Sequence, residues 1–301
     1  MVAFDDALIS FRSYIATRGN PPFEDGQLEA WASSYKDFAF PELDEELFHR
    51  VVGALKEQFA VTLDTGHSID DNSYEPWWEQ FKASDSELAY WSRFGLFLRT
   101  RDYLAPQVVN RLDAETDHIV DLAGDPKKDG VWNRRGMVIG HVQSGKTQNY
   151  SAVICKAADA GYKVIILLAG ITNTLRRQTQ DRINEAFIGR RASRNQQLMS
   201  QPYGVGEIVG NPVPDAGTHL EGDFSASALS TALGFNIANR TQPIVFVCKK
   251  NVSTLRNLHD YFNSVSEDTV DLSLMLIDDE ADNASINTKA DKNQITAINA
   301  G

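Results

Sequence analysis

Between Gly140 and Thr147 the chain has a glycine, four residues (His141, Val142, Gln143, Ser144) and then Gly145-Lys146-Thr147. This is G-x-x-x-x-G-K-T, the spacing of a phosphate-cradling loop. Glycines let backbone N–H groups turn onto phosphate oxygens where a side chain would block the approach. A helix starting at Lys146 adds the partial positive charge of its N-terminus to the same spot. The pattern assigns Lys146 to the β- and γ-phosphates and the Thr147 hydroxyl to Mg²⁺. All eight positions, Gly140 through Thr147, are therefore read as nucleotide-binding.

A second cluster follows an apolar run. Leu274-Met275-Leu276-Ile277 leads into Asp278-Asp279-Glu280-Ala281-Asp282. Acids bunched at the end of a buried strand repel one another unless a cation binds them. With the phosphate loop upstream, the cluster reads as a magnesium-holding aspartate followed by a water-activating glutamate. Two frames are possible, because Asp278 and Asp279 both precede Glu280 closely. The frame Asp279-Glu280-Ala281-Asp282 is preferred: Asp279 holds the metal, Glu280 is the general base, and Asp278 stands behind them.

These residues need strands and helices to hold them. Met137 to Ile139 reads as a short buried strand before the loop, and Lys146–Ala158 as the helix after it. Beyond the turn-rich stretch Gly124–Gly130, apolar runs alternate with helical patterns. Strands are expected at Gly136–Ile139, Lys163–Leu168, Glu207–Val209, Ile244–Cys248 and Leu272–Ile277. Helices are expected at Leu175–Phe187, Ser225–Leu233 and Val252–Phe262, with an irregular connection over 190–224. Such alternation predicts an α/β fold with a parallel sheet, and the runs Val-Ile-Ile-Leu-Leu and Leu-Met-Leu-Ile suit strands buried on both faces.

Residues 1–125 are helical in pattern and predict a separate N-terminal domain, leaving 126–301 as the nucleotide-binding one. Apolar stripes run through Phe4–Ile15, Leu43–Phe59, Leu88–Leu98 and, after Pro106, Val109–Leu122. Asp64–Glu75 reads as a polar loop. Trp31, Trp77, Trp78 and Trp91 lack basic neighbours, so packing between helices outweighs base stacking.

The net charge of −12 is unevenly placed: residues 1–125 hold 24 acidic and 10 basic side chains, residues 126–301 hold 17 and 19. An acidic first part is unsuited to nucleic acid, so a phosphate backbone is expected only on the second. There Arg176, Arg177, Arg182, Arg190, Arg191 and Arg194, with Lys249 and Lys250, form either a phosphate track or a solvated face. Cys155 and Cys248 sit in apolar surroundings and read as buried thiols of a reducing compartment. With no signal-peptide pattern and no membrane-length apolar run, a cytoplasmic protein without membrane contact is expected.

The combined motifs resemble the first RecA-like lobe of a superfamily-two helicase, and more closely the bacterial Z-1 domain family, a putative-endonuclease family. The likeness rests on Gly140–Thr147, on Lys156–Tyr162 with Ala169–Gln180, and on Ile277–Asn287, and covers roughly residues 130–301. It implies an ATP- and Mg²⁺-dependent ATPase acting on DNA in anti-phage or restriction-type clusters, beside MutL-like ATPases and methylases. By the same resemblance Thr172, Asn173, Arg176 and Arg177 touch the nucleic-acid backbone. ATP rather than GTP rests on the resemblance alone.

Such motors continue to a further motif and a second lobe with an arginine finger, and Gly301 precedes both. The chain is accordingly expected to be a piece of a longer protein, with little activity alone. In that arrangement the strands at Met137–Ile139 and Leu274–Ile277 are not paired directly. Two other functions fit the same residues: a nucleotide-gated assembly protein that moves no strand, and a nuclease whose catalytic domain lies outside this sequence.

Overall fold

The computed structural model of the protein describes residues 4–18, 26–59, 75–84, 87–102, 104–139, 145–208, 213–226, 241–266, 272–279 and 281. Apolar residues at helical spacing build α1 (Phe4–Arg18), α2 (Gln27–Ala39) and α3 (Glu45–Phe59). Phe11, Ile15, Leu28, Val51 and Leu55 turn inward to make a core of their own, with Trp31 packed against it. The stripes for α1 and α3 were legible in the sequence; α2 was not among the expected helices.

The next helices are α4 (Trp78–Ala83), α5 (Ala89–Thr100) and α6 (Pro106–Ala123). Pro106 opens α6, where its missing N–H costs nothing. Among the described residues, these three helices bury their apolar faces in cores separate from that of the first three. Phe94, Leu98 and Leu112 share a core with Tyr150, Ile154, Ile165 and Val245. Trp78 and Val120 share another with Val153, Ala157 and Met275. Hydrophobic contact therefore runs across the expected boundary between residues 125 and 126. The tryptophans serve packing, as expected: Trp78 stacks on Phe81 and donates its indole N–H to Asp117 at 2.6 Å.

After α7 (Lys146–Ala160) come β1 (Val164–Ala169) and α8 (Asn173–Ile183), which continues through a π-helical turn at Asn184–Ile188. The connection that follows contains α9 (Gln196–Ser200), a 3₁₀ turn at Gly204–Glu207 and the two-residue β2 (Asp215–Ala216). Then come β3 (Ile244–Lys249), α10 (Val252–Ser266) and β4 (Leu274–Asp278). The four strands form one all-parallel sheet in the order β2-β3-β1-β4, with Val164 opposite both Ile244 and Leu274. This is the mixed α/β architecture with a parallel sheet that the alternation predicts.

The sheet is a middle layer. Ile165, Leu167 and Val247 face α5, α7 and the turn after α8. Val164, Ile166 and Phe246 face Leu258 and Tyr261 of α10. Among the described residues, no helix is long and apolar enough to cross a membrane.

Three strand expectations fail. Gly136–Ile139 forms no strand; Met137 and Ile139 are 79% and 84% exposed. A three-residue run makes few ladder bonds, and without a strand beside it water satisfies the backbone instead. It is accordingly not paired with β4. Gly204–Glu207 is a 3₁₀ turn where a strand was expected from Glu207, and Val209 lies outside the described residues. β4 is not buried on both faces: Met275 is covered, whereas Leu276 is 53% exposed. β4 pairs with β1 on one side, and α7 covers only the face that carries Met275 and Ile277. Most of the helix expected at Ser225–Leu233 and all but Glu75 of the loop at Asp64–Glu75 lie outside the described residues.

Candidate functional site

α7 begins with Gly145 at φ 72°, a left-handed conformation that glycine adopts without strain. No side chain caps this N-terminus and no acidic residue occupies its first turn. Its N–H groups and partial positive charge are thus not neutralised by an acid of the helix itself. Lys146 is exposed and Thr147 half-buried. The Thr147 hydroxyl oxygen accepts a hydrogen bond from Arg182 Nη1 of α8 at 2.9 Å. Gly140, His141, Val142, Gln143 and Ser144 lie outside the described residues.

One turn after Thr147, Tyr150 is 7% exposed, and its hydroxyl has no hydrogen-bond partner among the described residues. Burial first, then the charge of Asp279, raises the phenol's pKa, while Thr147 and Arg182 act in the opposite sense. The start of α7 and the end of α8 therefore meet beside this phenol, within reach of the charge of Asp279 just past β4.

At the strand ends the backbone is laced together. Asp279 N–H donates to Leu168 O at 3.0 Å, and Lys250 N–H donates to Gly170 O at 2.9 Å. Lys250, 2% exposed, carries its ammonium across β1 to Asp278 Oδ1 at 2.5 Å. Asp278 thus forms an ion pair with a buried lysine. Glu280 lies outside the described residues.

The oxygens of Thr147 and Asp279 are hard donors of the kind Mg²⁺ takes. The uncapped helix start and the unpartnered buried hydroxyl are donors of the kind a phosphate takes. The residues present therefore fit a magnesium–nucleotide.

The residues read as nucleic-acid contacts are split. Thr172, exposed, caps α8 by accepting from Leu175 N–H at 3.2 Å. Asn173, exposed, accepts from Lys249 Nζ at 2.9 Å. Arg177 is exposed. Arg176 is a correction: it is 3% exposed and donates Nη2 to Leu220 O at 2.9 Å. Its position faces the core side of α8, so it holds a loop and does not reach solvent. Lys250 leaves the basic track for the same reason. Cys155 and Cys248 are buried free thiols, as expected, and burial pushes both thiols far up.

Sequence reasoning missed Tyr150, Lys250 and the local role of Arg182. Tyr150 had a signal, three positions after Thr147 on the same helix face. Lys250 follows a buried parallel strand, where a charged side chain needs a partner. Arg182 had no local signal, because only the packing of α8 beside α7 brings it to Thr147. Compared with family models, with curated proteins and with solved structures, the chain matches none of them.

Proposed function

We propose that this chain is an ATP-binding, Mg²⁺-dependent ATPase lobe of the RecA-like helicase type, acting on DNA in bacterial anti-phage defence, of the Z-1 domain kind. The observation that carries the nucleotide part is the uncapped start of α7 at Gly145-Lys146-Thr147, with the buried Tyr150 hydroxyl close to Thr147 and within reach of the Asp279 charge. Asp279, whose N–H binds Leu168 O, stands at the carboxyl end of the parallel sheet, where ligands of open α/β folds bind.

In this reading the first N–H groups of α7 and Lys146 hold the β- and γ-phosphates. Thr147 and Asp279 hold the metal, and Lys250 keeps Asp278 out of competition for it. Mg²⁺, when bound, would offset charge on the β- and γ-phosphate oxygens and so ease departure of the diphosphate. Glu280 takes the proton of the attacking water. Thr172, Asn173 and Arg177 remain as solvent-facing candidates for a phosphate backbone. The defence setting, the DNA substrate and the MutL-like and methylase partners rest on the family resemblance.

The test is calorimetry of Mg–ATP on the full chain and on Lys146→Ala. Binding by the parent and its loss in the variant supports the reading; equal affinity for both overturns it.

A second reading, a nucleotide-gated assembly switch, is favoured by one observation. The helix carrying Lys146 and Thr147 also carries Lys156 and Asp159, which bind α6 and α5. A nucleotide at one end of α7 thus has a mechanical route to the helices at the other. Turnover stimulated by DNA selects the motor; turnover indifferent to DNA, with nucleotide-dependent oligomerisation, selects the switch.

A further inference from the structure

Arg182 belongs to neither motif. It lies in the last turn of α8, on a different element from the phosphate loop, and its guanidinium ends on Thr147 at 2.9 Å. Three other arginines of that basic stretch are occupied elsewhere. Arg176 is buried against Leu220, Arg191 stacks on the Tyr203 ring at 4.1 Å, and Arg194 reaches His219. Arg182 is itself exposed to solvent. Beside it lies the buried Tyr150 hydroxyl, close to Thr147 and Arg182 and without a hydrogen bond of ordinary geometry among the described residues.

We propose that Arg182 reads the terminal phosphate of a nucleoside triphosphate bound at the start of α7, with Tyr150 donating to the same oxyanion. The proposal rests on the nucleotide-binding reading of Gly145, Lys146 and Thr147. The Thr147 oxygen that accepts from Arg182 is the one assigned to a divalent cation. A cation held there would repel the guanidinium and leave it free to bind phosphate oxygens. A planar guanidinium matches two of those oxygens at once, as a lysine cannot. A diphosphate lacks the terminal group, so Arg182 discriminates between the two nucleotides, whereas Lys146 and the helix N-terminus act on both.

Binding of ADP and of a non-hydrolysable ATP analogue, each with Mg²⁺, is measured by calorimetry on the full chain. Arg182→Ala, Arg182→Lys and, as a control on the same helix, Gln178→Ala are compared with the parent. Arg182→Ala is expected to weaken the triphosphate about tenfold or more and the diphosphate by about twofold or less. Arg182→Lys recovers only part of the difference, and Gln178→Ala none of it because none is lost. Tyr150→Phe lowers triphosphate affinity in the same direction, with its thermal midpoint checked against the parent's. If Arg182→Ala is unstable, Arg182→Lys carries the comparison. Equal loss for both nucleotides, or no loss, overturns the role of Arg182 and leaves the phosphate loop standing. A parent that binds neither nucleotide removes both.

Discussion

Lys156 Nζ and Asp117 Oδ1 meet at 2.5 Å, with the lysine side chain wholly buried. The same ammonium holds Asp113 Oδ1 at 2.6 Å and sits 4.6 Å from the centre of the Trp91 ring. Asp117 also accepts from Lys82 at 2.8 Å and from the Trp78 indole. This cluster joins α7 to α4, α5 and α6 with charge satisfied on every side. Breaking one partner is costly because the others stay buried.

Lys156→Met should therefore destabilise the fold by about 3 kcal/mol, the lower part of the range for a broken buried pair, since Asp113 keeps some access to water. Urea unfolding at neutral pH measures it. A loss below about 1 kcal/mol would mean that the two aspartates find other partners. Burial raises the Asp117 carboxyl, but hydrogen bonds from Lys156 and Lys82 outweigh it and hold the group below its ordinary value. Its contribution is present above about pH 4 and lost as pH falls through the lower folded value.

Asp159 has the opposite sign. It accepts from the N–H groups of Tyr90 and Trp91, both at 2.9 Å, and so caps the start of α5. Burial pushes its carboxyl up to about 7, against the pull of those N–H groups. The folded chain keeps a proton that the unfolded chain releases near pH 4, so this group makes stability fall as pH rises from about 4 to about 7. Asp159→Asn cannot ionise and should flatten that part of the profile. Denaturation midpoints of parent and variant between pH 5 and 8 check it; parallel profiles would count against it.

Asp278→Asn and Asp279→Asn should differ in kind. Losing the Asp278 charge leaves Lys250 buried without its counter-ion, which should cost roughly 1–3 kcal/mol of stability. Losing the Asp279 charge should leave the fold in place and weaken nucleotide binding only where Mg²⁺ is present. Unfolding curves and calorimetry with Mg²⁺ or a chelator separate the two effects. If Asp278→Asn is the variant that loses the magnesium dependence, the metal frame shifts by one residue.

The parts of the fold legible in the sequence are those whose signal is local. Six apolar residues in a row made β1 plain, as Lys146 through Ala160 made α7. Met137–Ile139 looked the same over three residues, but a strand exists only when another pairs with it, and that depends on the rest of the sheet. Leu276 was misread for a related reason: its run is as apolar as β1, but whether a face is covered depends on which helix lies over it. In the candidate site, Lys146, Thr147 and Asp279 stand out in the sequence because phosphate and metal chemistry demands fixed spacing. Arg182 and Lys250 reach their partners across separate elements, so the sequence offers charge there without address. Arg176 and Arg177 are the sharpest instance, adjacent in sequence with one buried and the other exposed.

That pair supplies the last test, because one helix turns the two guanidinium groups in different directions. Arg176 donates to Leu220 O from within the core, and its replacement by alanine orphans a buried carbonyl. A loss of about 1–3 kcal/mol in stability is expected, with DNA affinity unchanged once the protein is folded. Arg177 has no such burial, so Arg177→Ala should leave the unfolding curve within about 0.5 kcal/mol of the parent. If α8 lies along a phosphate backbone, Arg177→Ala should weaken binding equally across DNA sequences. It should also reduce the slope of log affinity against log salt by about 0.9, the yield of one lost phosphate contact. Fluorescence anisotropy on two unrelated duplexes at four salt concentrations measures both quantities. An Arg177→Ala protein with the parent's affinity and slope would show that this face of α8 is merely solvated, and the nucleic acid would have to be sought elsewhere.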